Sequence, residues 1–87
     1  MAQVQLPPTL TTLFDGLPSR VDIDAATVAE ALAELEQRWP GLRDRLVEPG
    51  PVLRPHIHVY VDQERAGLDT QIEPRSRVHV VAAISGG

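Results

Sequence analysis

Eighty-seven residues are enough for one small domain, and the lack of cysteine excludes disulfides, a thiol nucleophile and a zinc–thiolate site. A formal net charge of −4 and a pI near 5.2 argue against nucleic-acid binding, which requires a basic face. The acidic balance instead favours association with a basic protein surface. No apolar run is long enough to span a bilayer and no signal peptide opens the sequence. We therefore expect a cytoplasmic protein that binds neither nucleic acid nor membrane.

The N-terminal quarter has the pattern of a β-hairpin. Apolar and polar residues alternate over residues 2–6 and again over residues 20–23, which predicts two half-buried strands. Residues 9–14, which follow two prolines, are β-branched and apolar, and we interpret them as a further extended stretch. The Asp-Gly-Leu-Pro of residues 15–18 is typical of a turn.

The middle of the chain predicts one amphipathic helix. Thr27 and Glu30 have the spacing of a capping box, in which Thr27 caps the helix and Glu30 reaches back. An apolar stripe follows at helical spacing: Val28, Leu32, Leu35 and Trp39. Pro-Gly at residues 40–41 ends the helix, residues 42–47 predict a further short turn of helix, and residues 48–51 a rigid loop.

The C-terminal half predicts two more strands. Residues 57–61 alternate cleanly, residues 62–67 are a polar turn, and residues 68–72 are a short excursion with two apolar anchors. After another turn, apolar side chains alternate between two faces over residues 77–83. The order of elements predicts an α+β fold of the β-grasp type, a mixed sheet of about four to five strands with one main helix packed on one face. We expect residues 1–83 to form this domain and residues 84–87 to be a flexible tail.

The inward-facing apolar residues of these elements define the predicted core: Val4, Leu6, Val21, Ile23, Val28, Leu32, Leu35, Ile57, Val59, Val61, Val78 and Val80.

The last strand runs directly into Ile84, Ser85, Gly86 and Gly87. Because glycine has no Cβ, such a terminus is narrow and unbranched. It can enter the active site of another protein and present its carboxylate there. A frayed end made of small residues would have the same sequence, but the strand that leads into the tail favours the first interpretation.

This element order, ending in a strand that runs into the diglycine, resembles the ubiquitin-like sulfur carriers of the ThiS/MoaD family over essentially the whole chain. Residues 77–87 are the most specific part of the resemblance. Residues 59–64, 35–36 and 41–46 look most like the CysO-type carriers that feed cysteine synthesis. One departure is Asp62, where the family often has asparagine. Molybdopterin-synthase small subunits often have Pro-Pro-Val before the diglycine, where this chain has Ala-Ala-Ile at 82–84.

The resemblance implies a function for the tail. An E1-like adenylyltransferase, with its own ATP and magnesium, would convert Gly87 to an acyl-adenylate. A sulfur donor protein would then supply the sulfur of a thiocarboxylate, and a downstream sulfur-accepting synthase would consume it. Ile84, Ser85 and Gly86 would thread into the partner, while the chain itself would bind no cofactor.

Other functions remain open on the sequence. The chain has no catalytic triad order and no nucleotide-binding glycine loop, so we interpret it as a carrier and not as an enzyme. A ubiquitin-like modifier conjugated through Gly87, and the small subunit of molybdopterin synthase, are the alternatives. Cysteine synthesis is the favoured destination of the sulfur, although thiamine, molybdopterin, thiolated RNA and a secondary metabolite also remain open.

The sheet face that the helix leaves uncovered is the candidate partner-docking face. Alternation assigns His79, Val81 and Ala83 to this face, together with Tyr60. An apolar strip beside the tail would give a partner an oriented hold on it. A half-solvated sheet with scattered apolar residues is the alternative.

Three histidines raise the question of a zinc site. His56 and His58 are two residues apart on one strand, and His79 lies on the strand expected to pair with it. We interpret these side chains as residues of the solvent face and expect no metal site.

Overall fold

The computed structural model describes residues 1–83, and the expected tail at residues 84–87 lies outside the described residues. In chain order the elements are β1 (Ala2–Gln5), α1 (Pro8–Thr11), β2 (Arg20–Ile23), α2 (Val28–Arg38), α3 (Leu42–Leu46), β3 (Val47–Glu48), β4 (Val52–Leu53), β5 (Ile57–Val61), β6 (Glu64–Ala66) and β7 (Arg77–Ala82). None of the helices within residues 1–83 has the length and apolarity needed to cross a membrane.

Strand β7 lies at the centre of a mixed five-stranded sheet with the order β2-β1-β7-β5-β6. It runs parallel to β1 and antiparallel to β5, while the outer strands pair antiparallel with their neighbours. A parallel pair needs a long crossover connection, and this chain supplies one that contains α2. The predicted α+β, β-grasp architecture is confirmed.

Helix α2 covers one face of this sheet. Its N-terminus has the predicted cap, because the Thr27 hydroxyl oxygen accepts a hydrogen bond from the Glu30 N–H at 3.2 Å. The Glu30 carboxylate does reach back, but it accepts from the Thr27 hydroxyl at 3.3 Å. The N–H of Val28 donates instead to the carbonyl of Thr70, and that of Ala29 to the carbonyl of Leu68. The segment after β6 therefore closes this end of the helix.

Every residue of the predicted core is buried, with at most 8 % of its surface exposed. The alternation of β5 and β7 is therefore directed as expected, with the first, third and fifth residues of β5 turned towards α2. The core also contains buried residues that were not among the predicted set: Ala2, Leu10, Leu17, Ala31, Leu42, Leu46, Val47 and Ile72.

Residues 9–14 are not an extended stretch. A short helix, α1, spans Pro8–Thr11 and directs Leu10 into the core. Proline at the first helical position has a φ that suits a helix and lacks only an N–H that would be unpaired there. The two prolines ahead of the predicted extended stretch therefore start a helix.

Two further segments are more regular than expected. The polar turn predicted for residues 62–67 contains strand β6, and the turn itself is only Asp62 and Gln63. The loop at residues 48–51 closes a small hairpin in which β3 pairs with β4. Strands β3, β4 and β6 have only two or three residues each, so none of them shows an alternating pattern in the sequence.

Substitution of Leu32 by alanine should lower the free energy of unfolding by roughly 2–5 kcal/mol, because it leaves a cavity under α2. Leu32 is 2 % exposed. Gln37→Ala, at an exposed position of the same helix, should change stability by less than about 0.5 kcal/mol. Urea denaturation of both variants measures the difference, and a loss below about 0.5 kcal/mol for Leu32→Ala would contradict the helix face.

Candidate partner-docking site

The face of the sheet opposite α2 carries a row of polar side chains that crosses all five strands. The strand register places Arg20, Gln5, His79, Tyr60 and Arg65 directly opposite one another in that order. Neighbours in such a row have their Cβ atoms about 5 Å apart. The row therefore forms a continuous surface with an arginine at each end.

The neighbouring positions of this face are also largely polar. Val81 lies opposite His58, and the His58 Nδ1 atom lies 2.5 Å from an amino nitrogen of Arg65. On the other side of the long row, Gln3 lies between Asp22 and Arg77. We call this whole surface the open face.

The charge of the open face is opposite to that of the whole chain. Its strand positions carry Arg20, Arg65 and Arg77 against the single acid Asp22, although the formal net charge of the chain is −4. The helix layer carries much of the acidic excess, including residues 30, 34 and 36 of α2. The open face thus carries charge that suits an acidic surface, whereas the expectation of a basic partner was drawn from the net charge of the whole chain.

The structure places the predicted docking residues together near the end of β7. His79 and Ala83 are exposed, whereas Tyr60 and Val81 are half-buried among their neighbours. The strip is accordingly less apolar than the sequence indicates, because polar and cationic side chains border it. The Ala83 N–H donates to the His56 carbonyl at 2.7 Å, which fixes the chain just before the tail. The predicted tail residues Ile84, Ser85, Gly86 and Gly87 lie outside the described residues.

The three histidines do not form one cluster. His58 and His79 share the open face but lie opposite different residues, Val81 and Tyr60. His56 is exposed and precedes β5. Within residues 1–83, no three side chains of histidine, cysteine or acidic type are grouped so that they could hold a metal ion.

A depression of about 220 Å³ lies where β7 ends, beside α1 and α3. Sequence reasoning missed it because residues 9–14 were interpreted as extended. Its lining residues come from four separate segments: Thr9, Leu10, Leu13, Arg45, His56, Ile57, Ala82 and Ala83. Leu13 lies at its edge, with 54 % of its surface accessible.

Asp62 fixes the other end of β7. Asp62 and Gln63 have φ angles of 50° and 75°, a left-handed conformation that aspartate tolerates better than most residues. The Asp62 carboxylate accepts hydrogen bonds from the Arg77 N–H at 2.9 Å and the Ser76 hydroxyl at 2.8 Å. The hydrogen bond from the Arg77 N–H has the larger effect, and together with that from the Ser76 hydroxyl it holds the pKa of Asp62 below its usual value. Asp62, where the family often has asparagine, therefore clamps the start of β7.

Glu36 joins the two helices in a similar way. Its carboxylate oxygens accept from the N–H groups of Gly41 and Arg43, both at 2.9 Å. Gly41 has a φ of 97°, which favours glycine. The hydrogen bond from Gly41, followed by that from Arg43, lowers the pKa of Glu36. This contact therefore joins the end of α2 to the start of α3 in the folded chain.

Comparisons with known proteins agree with this architecture. A family model described as the ThiS family matches residues 9–87. Small archaeal modifier protein 3 of Haloferax volcanii is 36% identical over 72 residues, which cover 78% of this chain and 76% of that protein. Sulfur carrier protein CysO of Mycobacterium tuberculosis is 27% identical over 86 residues, 92% of each chain.

Among solved structures, a chain in the crystal structure of the Amycolatopsis orientalis BexX/CysO complex superposes with a TM-score of 0.89. The two chains are 30% identical, and the match covers 100% of each. These relatives are small ubiquitin-like carrier and modifier proteins, in agreement with the fold and the family that the sequence predicts.

Replacement of Asp62 by asparagine should make the chain less stable at neutral pH but not at strongly acidic pH. Since the pKa of Asp62 is lowered on folding, its contribution is fully present above the unfolded value of about 3.9 and is lost as pH falls through the folded value. Thermal unfolding midpoints of both chains at pH 7 and near pH 2.5 should therefore differ more at pH 7. Asp15→Asn, an exposed aspartate outside the clamp, controls for general acid effects. An equal difference at both pH values would contradict the clamp.

Proposed function

Because this chain belongs to the ThiS family, we propose that it is a sulfur-carrier protein whose C-terminal Gly87 is adenylated by an E1-like enzyme and converted to a thiocarboxylate. The thiocarboxylate donates its sulfur to a biosynthetic pathway, with cysteine synthesis as the favoured destination. The observation that carries this proposal is the full-length match to a chain of the BexX/CysO complex. The family match extends to the diglycine at residues 86–87.

The proposed chemistry needs one substitution at the α-phosphorus of ATP and one at the terminal acyl carbon. A carboxylate oxygen of Gly87 attacks the α-phosphorus, and pyrophosphate leaves. Hydrosulfide delivered by the donor then attacks the acyl carbon, AMP leaves with the bonding electron pair, and loss of the sulfur-bound proton gives the thiocarboxylate. Each step requires close alignment of the reacting atoms. Glycine at residues 86 and 87 suits this requirement because no Cβ obstructs the approach.

In this proposal the domain contributes binding and orientation, and the partner contributes catalysis. Strand β7 pairs with β1 over residues 77–79 and with β5 over residues 78–82. The residues that lead into the tail are therefore held by β5. Ile84, Ser85 and Gly86 would extend from β7 into the partner, where main-chain hydrogen bonds can hold an extended segment. ATP and magnesium belong to the adenylyltransferase.

The open face is the proposed docking surface for this enzyme. Tyr60, His79 and Val81 lie on the open face, alternation assigns Ala83 to it as well, and the arginines at positions 20 and 65 flank this group. Arginine guanidinium groups pair with carboxylates in a fixed planar geometry. We therefore propose that the adenylyltransferase presents an acidic surface with an apolar centre to this face.

A protein modifier is the second candidate, because of the 36% identity to small archaeal modifier protein 3. A modifier would use the same adenylated Gly87 but would transfer it to an amine. Intact mass after incubation with the adenylyltransferase, ATP and sulfide separates the two functions. A carrier gains the mass difference of one sulfur replacing one oxygen, whereas a modifier forms adducts with a second protein.

Deletion of Gly86 and Gly87 should abolish adenylation while leaving thermal stability almost unchanged, since terminal glycines bury little surface. The deletion withdraws the carboxylate by at most about 7 Å, which is far more than in-line attack tolerates. Addition of one alanine after Gly87 should be nearly as damaging, because it overshoots the nucleotide. ATP–pyrophosphate exchange is the assay. Exchange at the unaltered rate by either variant would refute both the carrier and the modifier function.

Val81→Asp should leave the fold intact and weaken binding to the adenylyltransferase by about tenfold or more, because it places a charge in the centre of the docking surface. Val81→Arg removes the same apolar surface with the opposite charge, and it should weaken binding less if the partner is acidic. Val80→Asp, at a buried position of the same strand, should unfold the protein.

Circular dichroism and a binding titration test the two parts of the Val81 prediction separately. Normal affinity of a folded Val81→Asp variant would exclude this docking surface. An unfolded Val81→Asp variant would show that Val81 does not tolerate a charge on its face of the sheet.

A further inference from the structure

A second surface lies at the C-terminal end of β7, on the side of the helices. We call it the tail-root site and define it by Leu10, Leu13, Arg45, Arg54 and His56. All of these residues except Arg54 line the depression where β7 ends. Arg54 lines a second depression, which shares Arg45 and His56 with the first. The site is built from α1, α3 and the segment before β5, so it is separate from the open face.

The position of the tail-root site makes contact with a partner unavoidable. Ala82 and Ala83 form part of its lining, and the next Cα atom along the chain lies only 3.8 Å beyond that of Ala83. A protein that encloses the tail therefore has the rim of its channel against this site. This step rests on the proposed function, in which a partner encloses the tail.

The site has an apolar centre. Leu10 is 4 % exposed and forms the floor, whereas Leu13 is 54 % exposed and stands at the edge. Only Met1 and Val52 are comparably exposed large apolar residues in the described chain. An apolar side chain placed between Leu10 and Leu13 would bury surface that is now in contact with water.

The rim of the site is cationic. Arg45 and His56 are exposed, and the Arg54 Nε–H donates to the Asp44 carbonyl at 2.8 Å, which orients its guanidinium group. The Asp44 carboxylate is the single acid among the residues that line these depressions. The rim thus carries two guanidinium groups and one carboxylate, which leaves an excess of one positive charge. A ligand with carboxylate groups suits this positive charge.

We propose that the tail-root site is a second docking point for the adenylating enzyme, and that it binds a segment of that enzyme in which an apolar side chain is flanked by carboxylates. The apolar side chain enters between Leu10 and Leu13, and a carboxylate pairs with Arg45. The open face holds the domain from one side of β7 and the tail-root site holds it from the other. Two contacts on one domain bind the enzyme more tightly than either contact alone.

The test uses the full-length chain and the E1-like adenylyltransferase of the same organism, with ATP–pyrophosphate exchange measured at varied carrier concentration. Arg45→Glu and Leu13→Ser should each raise the KM for the carrier by about tenfold, with kcat little changed, because a docking contact is made equally in the ground state and the transition state. Arg45→Lys and Leu13→Met keep the charge and the apolar surface, and they should stay within about threefold of the unaltered chain.

Arg75→Glu is the matched control for charge reversal. Arg75 is exposed and precedes β7, at the opposite end of that strand from the tail. This variant should leave KM within about twofold of the unaltered chain. Circular dichroism verifies the fold of each variant, and Arg45→Gln replaces Arg45→Glu if the latter is destabilised.

Each outcome of this test decides the proposal. Raised KM values for Arg45→Glu and Leu13→Ser, with unaltered values for Arg75→Glu, support it. Unaltered KM values for folded Arg45→Glu or Leu13→Ser overturn it and leave the proposed carrier function standing. Absence of exchange by the unaltered chain refutes the carrier function, and the second docking point is then refuted with it.

Discussion

The register of β7 is the constraint on which the rest of this molecule depends. β7 pairs with β1 on one side and with β5 on the other, and Val78 and Val80 on it are buried against the helix layer. Because side chains alternate along a strand, a slip of one residue would turn these valines to water and bring His79 and Val81 into the core. The same slip would move the base of the tail by about 3.3 Å. The register that packs the core therefore also fixes the position of Ala83, the residue that precedes the tail.

The distribution of charge matters more here than its sum. A net charge of −4 describes the chain as a whole, but the open face is cationic because acidic residues lie in the helix layer. The tail-root site is cationic as well, with Arg45 and Arg54 against Asp44. Both surfaces beside the tail thus favour the same kind of partner.

The sequence was sufficient for the parts of the fold that rest on periodicity, and insufficient where short or distant segments combine. The predicted core and α2 follow from alternation and from the apolar stripe, since burial imposes both patterns. Strand β6 has three residues and lies at a sheet edge, so burial leaves no pattern on it. Helix α1 was missed because one turn is too short for a helical period, although Pro8 was a signal for it. The tail-root site was beyond sequence reasoning, because Leu13, Arg45 and His56 meet only in the folded chain.

The clamp at Asp62 completes this account of how the tail is positioned. Burial of Val78 and Val80 specifies the register of β7, and the clamp adds hydrogen bonds at the start of the strand. Asp62 binds the N–H of Arg77 and the hydroxyl of Ser76, the residues at which β7 begins. Its own N–H donates to the Arg77 carbonyl at 2.9 Å. Two hydrogen bonds from one turn residue thus hold Arg77, the first residue of the strand, and a third holds Ser76 before it. Because the strand is continuous, a contact at one end of β7 also helps to fix the position of Ala83 at the other end.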